Sequence, residues 1–247
     1  MTGRKIHTVD PKTGDKTVLV EVEDQPNGMC FAADGALIYS SMFDTKLYRY
    51  KDGAKGRVSL DDTGARVLHG QDPGPGRLLR IDPDGAVSSV EEGIIFPNAL
   101  CISPDGKTLY NAETFGYGLH KFDLGDDGSL SNKQKVWAAA SIAGGATGKF
   151  VDIDGGCMDA EGGIWLSLLA LEQFARLDLK TGTITHRVKV EGHATACTLG
   201  GDDGKTLYML TNWVPEGEDL FTAMVALKTR CTVSAARVDI AHGDAQP

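Results

Sequence analysis

Side chains that carry oxygen ligands stand at one recurring place in this sequence. Asn27, Asn98 and Asp154 each precede a short apolar run, and a cysteine follows each of them three residues later. A turn and a second apolar run come next. Amide and carboxylate oxygens are the ligands that hard divalent cations such as Ca²⁺ take in proteins. The repetition makes these three residues candidate site residues.

The elements that must position these residues are β-hairpins. After Asn98 the sequence continues through an apolar run, the turn Asp105-Gly106 and a second run that ends near Glu113. Asp-Gly between two such runs is a strong hairpin signal, because both residues tolerate positive φ and the turn matches strand twist. Variants of this repeat lie at residues 26–39, 154–166 and 194–208. A hairpin that recurs without intervening helices is typical of a β-propeller.

The copies of this repeat along the chain predict an all-β fold of the β-propeller type. We expect residues 1–247 to form a single domain. Five blades are recognisable, and a partial N-terminal blade with strands around Ile6 and Val18 precedes them. We expect the C-terminal segment 224–240 to pair with these N-terminal strands, because an open ring would leave backbone groups unpaired.

Three segments depart from the regular repeat. Residues 54–57 are interpreted as a shortened connection, and residues 58–68 as the hairpin of a degenerate third repeat. Residues 138–149 have no apolar periodicity and are predicted to be a mobile loop over one face of the propeller. Functional sites usually lie on such faces.

The four cysteines at positions 30, 101, 157 and 197 occur once in each of four repeats. Three is an odd offset, so in a regular strand each cysteine points away from the face of the polar residue. A disulfide framework does not normally place its cysteines at one equivalent position per repeat, and no Cys-x-x-Cys pair suggests zinc. We therefore expect these thiols to be buried as small apolar residues.

Composition argues against two classes of partner. The chain of 247 residues is 41% hydrophobic and carries a formal net charge of −9, which gives no attraction to nucleic acid or to an anionic membrane surface. No run of about 18 apolar residues is present, and the first residues lack the apolar core of a signal peptide. The sequence therefore predicts a cytoplasmic protein with neither nucleic acid nor membrane as a partner. It leaves the oligomeric state open.

Three segments together resemble one family. They are Pro97-Asn98 with the SPDGKTLY sequence at 103–110, the DGGCMDAEGGIW sequence at 154–165, and CTLGG at 197–201 with KTLY at 205–208. In order and spacing they resemble the gluconolactonase and senescence-marker-protein family, also called regucalcin-like, over nearly the whole chain. The resemblance implies a six-bladed propeller with one divalent cation in its central channel, which hydrolyses sugar lactones or related cyclic esters.

The resemblance also implies roles for two residues. Asn98 matches the family's metal-binding asparagine, and Asp154 matches the aspartate that binds metal and helps to activate water. The cation, Ca²⁺ or alternatively Zn²⁺, Mn²⁺ or Mg²⁺, would polarise the lactone carbonyl while a carboxylate takes a proton from water. The alternative for both residues is a structural one, with Asn98 capping a strand and Asp154 in a surface turn.

Two departures from the family pattern bear on activity. The family's first-blade glutamate ligand has no counterpart, because the sequence begins after that point, and the substrate-contacting asparagine of the third blade is missing as well. Asn27 has the position to supply a replacement oxygen, with a turn residue as the alternative, and Glu113 is a second candidate. Two other functions therefore stay open: an impaired propeller that acts as a binding scaffold, and a phosphotriester hydrolase that uses the same cation.

Overall fold

The computed structural model describes residues 4–23, 25–32, 34–41, 46–51, 54–59, 74–82, 86–139 and 151–243. Within these ranges the strands form six sheets. The first three contain β1 (Lys5–Val9) and β2 (Lys16–Glu21); β3 (Pro26–Phe31), β4 (Leu37–Ser41), β5 (Lys46–Lys51) and β6 (Ala54–Ser59); β7 (Gly76–Ile81) and β8 (Val87–Ile94). The other three contain β9 (Pro97–Ile102), β10 (Thr108–Glu113), β11 (Gly118–Leu124) and β12 (Leu130–Ala138); β13 (Ile153–Met158), β14 (Ile164–Leu168), β15 (Gln173–Asp178) and β16 (Thr183–Lys189); β17 (His193–Gly200), β18 (Thr206–Trp213) and β19 (Arg230–Arg237).

Each described sheet is a meander in which the strands follow chain order. The helical elements in the described ranges are a 3-10 turn at Leu169–Leu171 and the six-residue helix α1 (Leu220–Val225). The side chain of Asp219 caps α1 by accepting a hydrogen bond from the Thr222 amide at 3.0 Å. The all-β prediction is therefore confirmed. None of the described helices is long and apolar enough to span a bilayer.

The fifth sheet shows how these short strands build the core. Every residue of β14 is buried. Ile164, Leu166 and Leu168 belong to an apolar cluster shared with the fourth sheet, whereas Trp165, between them in sequence, belongs to a cluster shared with the sixth sheet. Side chains alternate between the two faces of a strand, so a strand covered on both sides is largely apolar, and Ser167 is the polar residue of β14.

The chain groups into two compact units. The first comprises residues 1–73, 82–87 and 214–230, and its described apolar core includes Ile6, Val20, Leu37 and Tyr39, whose ring stacks on Tyr48. The second comprises residues 74–81, 88–213 and 231–247 and contains the two clusters around β14. The single-domain organisation of residues 1–247 stays a prediction.

The C-terminal segment pairs differently from the expectation. β19 joins β18 in the sixth sheet, and the described sheet of β1 and β2 has two strands, so the predicted pairing of residues 224–240 with the N-terminal strands is wrong. The reason lies in the sixth sheet itself. Arg237 forms an ion pair with Asp203, and the Val238 amide donates to Lys205 O at 3.0 Å. These contacts hold the segment against the hairpin of β17 and β18.

Another difference concerns the end of the second repeat. Residues 54–59 form β6, the fourth strand of the second sheet, and are not a connection between repeats. β6 pairs with β5 along its whole length, from Lys46 opposite Ser59 to Lys51 opposite Ala54. The remainder of the predicted hairpin, residues 60–68, and nearly all of the predicted loop at 138–149 lie outside the described residues.

Candidate functional site

A β-bulge marks the beginning of the first strand in four sheets. In β9, Asn98 pairs with Ala112 and Cys101 with Tyr110, so three residues on β9 span the space of two on β10. The same extra residue occurs in β3 between Pro26 and Met29, in β13 between Ile153 and Gly156, and in β17 between Ala194 and Ala196. Bulges re-aim side chains and are common beside active sites. The three candidate residues Asn27, Asn98 and Asp154 all lie at these bulges.

The bulge corrects the argument from the spacing of the cysteines. Ala112 and Tyr110, the partners of Asn98 and Cys101, are two residues apart, so Asn98 and Cys101 belong to the same face of the fourth sheet. The extra residue cancels the odd offset. Burial itself is as expected for Cys101 and Cys197, which are 1% and 7% exposed, whereas Cys30 and Cys157 are half-buried. No disulfide joins any of the five cysteines, all of which lie in the described ranges.

The two glycines that follow Asp154 show how closely three of these strands approach one another. A Cβ on Gly156 would lie 2.6 Å from Trp165 O and 3.1 Å from the Cβ of Ala99. A Cβ on Gly155 would lie 3.0 Å from the Cα of Ala196. Only glycine leaves room for such contacts. Asp154 therefore sits where β13 meets β9 on one side and β17 on the other.

Hydrogen bonds orient the side chain of Asn98. Its Nδ2 donates to Thr114 Oγ1 at 2.9 Å, and Thr114 Oγ1 donates in turn to the carbonyl of Ile153 at 2.6 Å. The backbone carbonyl of Asn98 accepts from Asn111 Nδ2 at 3.0 Å. Because Thr114 takes the nitrogen end of the Asn98 amide, the oxygen Oδ1 is the end that remains for a ligand.

The carboxyl group of Asp154 lies in surroundings that favour its neutral form. Burial raises the pKa of Asp154 to about 7, and the charge of nearby Asp152 acts in the same direction, while the Gly155 amide opposes them. Burial raises the pKa of Asp152 as well. Ionisation of both carboxyl groups is unfavourable here, so a nearby positive charge would stabilise their ionised forms.

The residues present fit a hard divalent cation. The free end of Asn98 is a neutral amide oxygen, and Asp154 supplies a carboxylate whose ionisation a cation would favour. Within the ranges that the structure describes, no three His, Cys, Asp or Glu side chains are grouped so that they could hold a metal. The two candidate residues would therefore share the cation with water or with other oxygen donors.

The two replacement ligands have different surroundings. The Glu113 carboxylate accepts from the Ile95 amide at 3.0 Å, and it lies 3.2 Å from His120 Nδ1 and 3.3 Å from Lys133 Nζ. These contacts occupy the carboxylate, and the strand partner of Glu113 is Pro97, so its role as a replacement ligand stays a prediction. Asn27 is an exposed residue of β3, and its role as a ligand stays a prediction.

The six described sheets agree with the blades that the sequence predicted, and the comparison with protein families adds the lineage. The model of the SMP-30/Gluconolactonase/LRE-like region matches residues 2–212, and the chain belongs to this family. The resemblance stated from the sequence is thus confirmed.

Two relatives show how far the likeness extends. The chain is 25% identical over 235 residues to a pentonolactonase of Haloferax volcanii, covering 84% of this chain and 74% of that protein. It is 29% identical over 176 residues to regucalcin of Pongo abelii, covering 67% of this chain but only 55% of that protein.

Solved structures support the fold. A regucalcin from Agrobacterium tumefaciens, titled a calcium-binding protein, has a TM-score of 0.72 at 21% identity. The match covers 97% of this chain and 84% of that chain. A gluconolactonase from Xanthomonas campestris has a TM-score of 0.68 at 20% identity, covering 84% of this chain and 76% of its own. These likenesses confirm the six-bladed type of β-propeller that was predicted.

Proposed function

We propose that this chain is a metal-dependent lactonase that hydrolyses sugar lactones or related cyclic esters, with a divalent cation bound by Asn98 and Asp154. The observation that carries the proposal is the oriented amide of Asn98 on β9, together with the close approach of β13 to β9 beside the bulge that carries Asp154. Family membership and relatives named as lactonases support the reaction class. The names of the regucalcins support a calcium ion.

Each residue has a defined part in the proposed reaction. The bound cation would act as a Lewis acid toward the lactone carbonyl. Asn98 would bind through Oδ1, and its neutral amide takes no part in the proton transfer. Asp154 takes a proton from the attacking water, since the cation would offset the burial that raises the pKa of Asp154 and would keep its carboxylate ionised. The water oxygen bonds to the carbonyl carbon, the ring C–O bond breaks, and the departing oxygen receives a proton to give the open hydroxy acid.

The proposal is tested by lactone hydrolysis in purified protein after chelation and reloading with Ca²⁺, Mn²⁺ or Zn²⁺. We expect turnover of gluconolactone to depend on added cation and to fall by about 10²–10⁴ in Asp154→Asn, which removes the proton acceptor. Glu161→Gln, in the exposed hairpin turn after β13, is the matched control and should leave the rate unchanged. Spontaneous lactone hydrolysis is measured in parallel and subtracted.

The same assay separates the other functions that the sequence left open. Cation binding without turnover of any lactone would favour the binding scaffold. Hydrolysis of a phosphotriester in place of lactones, with the same dependence on Asp154, would favour a phosphotriester hydrolase. Equal turnover by Asp154→Asn and by the unsubstituted protein would overturn the assignment of Asp154 whatever the substrate.

A further inference from the structure

Thr114 connects the two candidate ligands, although nothing in the sequence pattern marks it. It follows β10 directly, is 3% exposed, and lies between the side chain of Asn98 and the backbone of Ile153, the residue before Asp154. Its hydroxyl therefore makes one hydrogen bond to each of the two strands that carry the proposed site. The amide of Thr114 donates to Phe96 O at 3.1 Å, which fixes its backbone independently of the hydroxyl.

The direction of these hydrogen bonds determines which end of Asn98 faces the site. A threonine hydroxyl has one proton, and here that proton goes to Ile153 O at 2.6 Å. Toward Asn98 the hydroxyl can then only accept, so the group facing it must be Nδ2 and not Oδ1. A 180° turn of the amide would set two acceptors against each other in a buried environment, which is costly.

We propose that Thr114 is a positioning residue of the cation site: it holds the Asn98 amide with Oδ1 directed to the cation and ties this ligand to the strand that carries Asp154. This inference rests on the proposed function, because it concerns the same cation. Thr114 itself does not touch the cation. Without its hydroxyl, the Asn98 amide could rotate, and a part of the molecules would present the NH₂ group, which repels a cation.

A purely structural role for Thr114 would look different in experiment. In that case the hydroxyl only joins two sheets, and its loss lowers stability without a specific effect on cation binding. Thr195 provides a matched comparison, because it is also a buried threonine whose hydroxyl donates to a backbone carbonyl, that of Leu210, at 3.0 Å. Its side chain makes no described contact with Asn98.

The first test is calorimetric titration with Ca²⁺ and Mn²⁺ of four proteins: unsubstituted, Thr114→Val, Thr114→Ser and Thr195→Val. We expect Thr114→Val to bind the cation about tenfold more weakly, as is common when a group that orients a metal ligand is removed. Thr114→Ser keeps the hydroxyl and should bind within about twofold of the unsubstituted protein, as should Thr195→Val. In an Asn98→Ala background, Thr114→Val should cause no further loss.

A second measurement keeps the inference testable without any metal. In ¹⁵N NMR spectra the side-chain amide of Asn98, assigned by its absence in Asn98→Asp, should show slow proton exchange in the unsubstituted protein and in Thr114→Ser. In Thr114→Val this protection should disappear.

The outcomes separate the two proposals. Undiminished cation binding in Thr114→Val, or an equal loss in the Asn98→Ala background, would overturn the positioning role while leaving the proposed function intact. If the unsubstituted protein binds neither cation, the proposed function and the positioning role both fall. Loss of binding in Thr195→Val to the same extent as in Thr114→Val would also overturn the inference, because the effect would then follow stability alone.

Discussion

The first strands of the second and fifth sheets share a sequence pattern and a bulge but differ in burial. Met29 and Phe31 on β3 are 53% and 68% exposed, whereas Ile153 on β13 is fully buried and Met158 nearly so. The same repeat therefore forms a hairpin in both sheets, while the burial of its first strand differs, so burial is not encoded by the repeat alone.

The largest expected contrast involves two ion pairs formed by hairpin residues. Asp159 and Arg176 are buried and make a bidentate pair, with Arg176 Nε 2.6 Å from Asp159 Oδ2. Asp34 and Arg49 form the corresponding contact in the second sheet, where both side chains are nearly half exposed. Arg176→Gln leaves a buried carboxylate without its partner and should lower the free energy of unfolding by about 3–5 kcal/mol. Arg49→Gln should cost about 0–1 kcal/mol.

Urea unfolding followed by tryptophan fluorescence measures both variants against the unsubstituted protein. Equal losses would show that the second sheet is packed as tightly as the fifth and would remove the contrast.

A second contrast concerns apolar side chains. Leu166 on β14 is fully buried, so Leu166→Ala opens a cavity and should lower the free energy of unfolding by about 2–5 kcal/mol. Phe31→Ala removes a larger side chain that is mostly exposed, and the expected change is within about 0.5 kcal/mol. Thermal unfolding of both variants and the unsubstituted protein, at one protein concentration, measures the two changes. A loss in Phe31→Ala as great as in Leu166→Ala would mean that Phe31 is covered in solution.

A third and smaller contrast is chemical. Burial raises the pKa of the Cys101 thiol to about 12, and the approach of Cys197 adds to this, so almost no thiolate forms near neutral pH. Burial raises the pKa of Cys30 too, but this thiol is only half-buried. In the folded protein at pH 8, alkylation of Cys30 by iodoacetamide should be roughly a hundredfold faster than alkylation of Cys101. Peptide mass spectrometry over time measures both rates, with exposed Cys231 as the internal reference.

A rise in pH increases the thiolate fractions of Cys30 and Cys101, so both rates should rise up to the pKa of the respective thiol. Comparable rates for Cys30 and Cys101 would contradict the difference in burial between β3 and β9.

Much of the fold could be predicted from the sequence because its signals are local. The Asp-Gly turn at Asp105 and its variants sit between the apolar runs that they join, so the hairpins and the all-β class followed directly. The bulge at Asn98 was missed, since an extra residue in a strand is a property of its pairing with β10 and leaves no mark on β9 itself. The placement of β19 depended on the contact between Arg237 and Asp203, which lie 34 residues apart in the sequence.

The candidate site shows the same division. Asn98 and Asp154 were found because they recur in the repeat and match the family. Thr114 was missed, because its partner Ile153 is 39 residues away and a lone threonine at the end of a strand is an ordinary residue.

The central claim is that Asn98 and Asp154 share one divalent cation, and an anomalous-difference map from a crystal grown with Mn²⁺ tests it most directly. The account predicts a single strong peak at roughly 2.0–2.6 Å from both Asn98 Oδ1 and an Asp154 carboxylate oxygen. The peak should disappear in crystals of Asp154→Asn. A map without a peak at these residues, or with Asn98 and Asp154 directed to separate places, would contradict the claim.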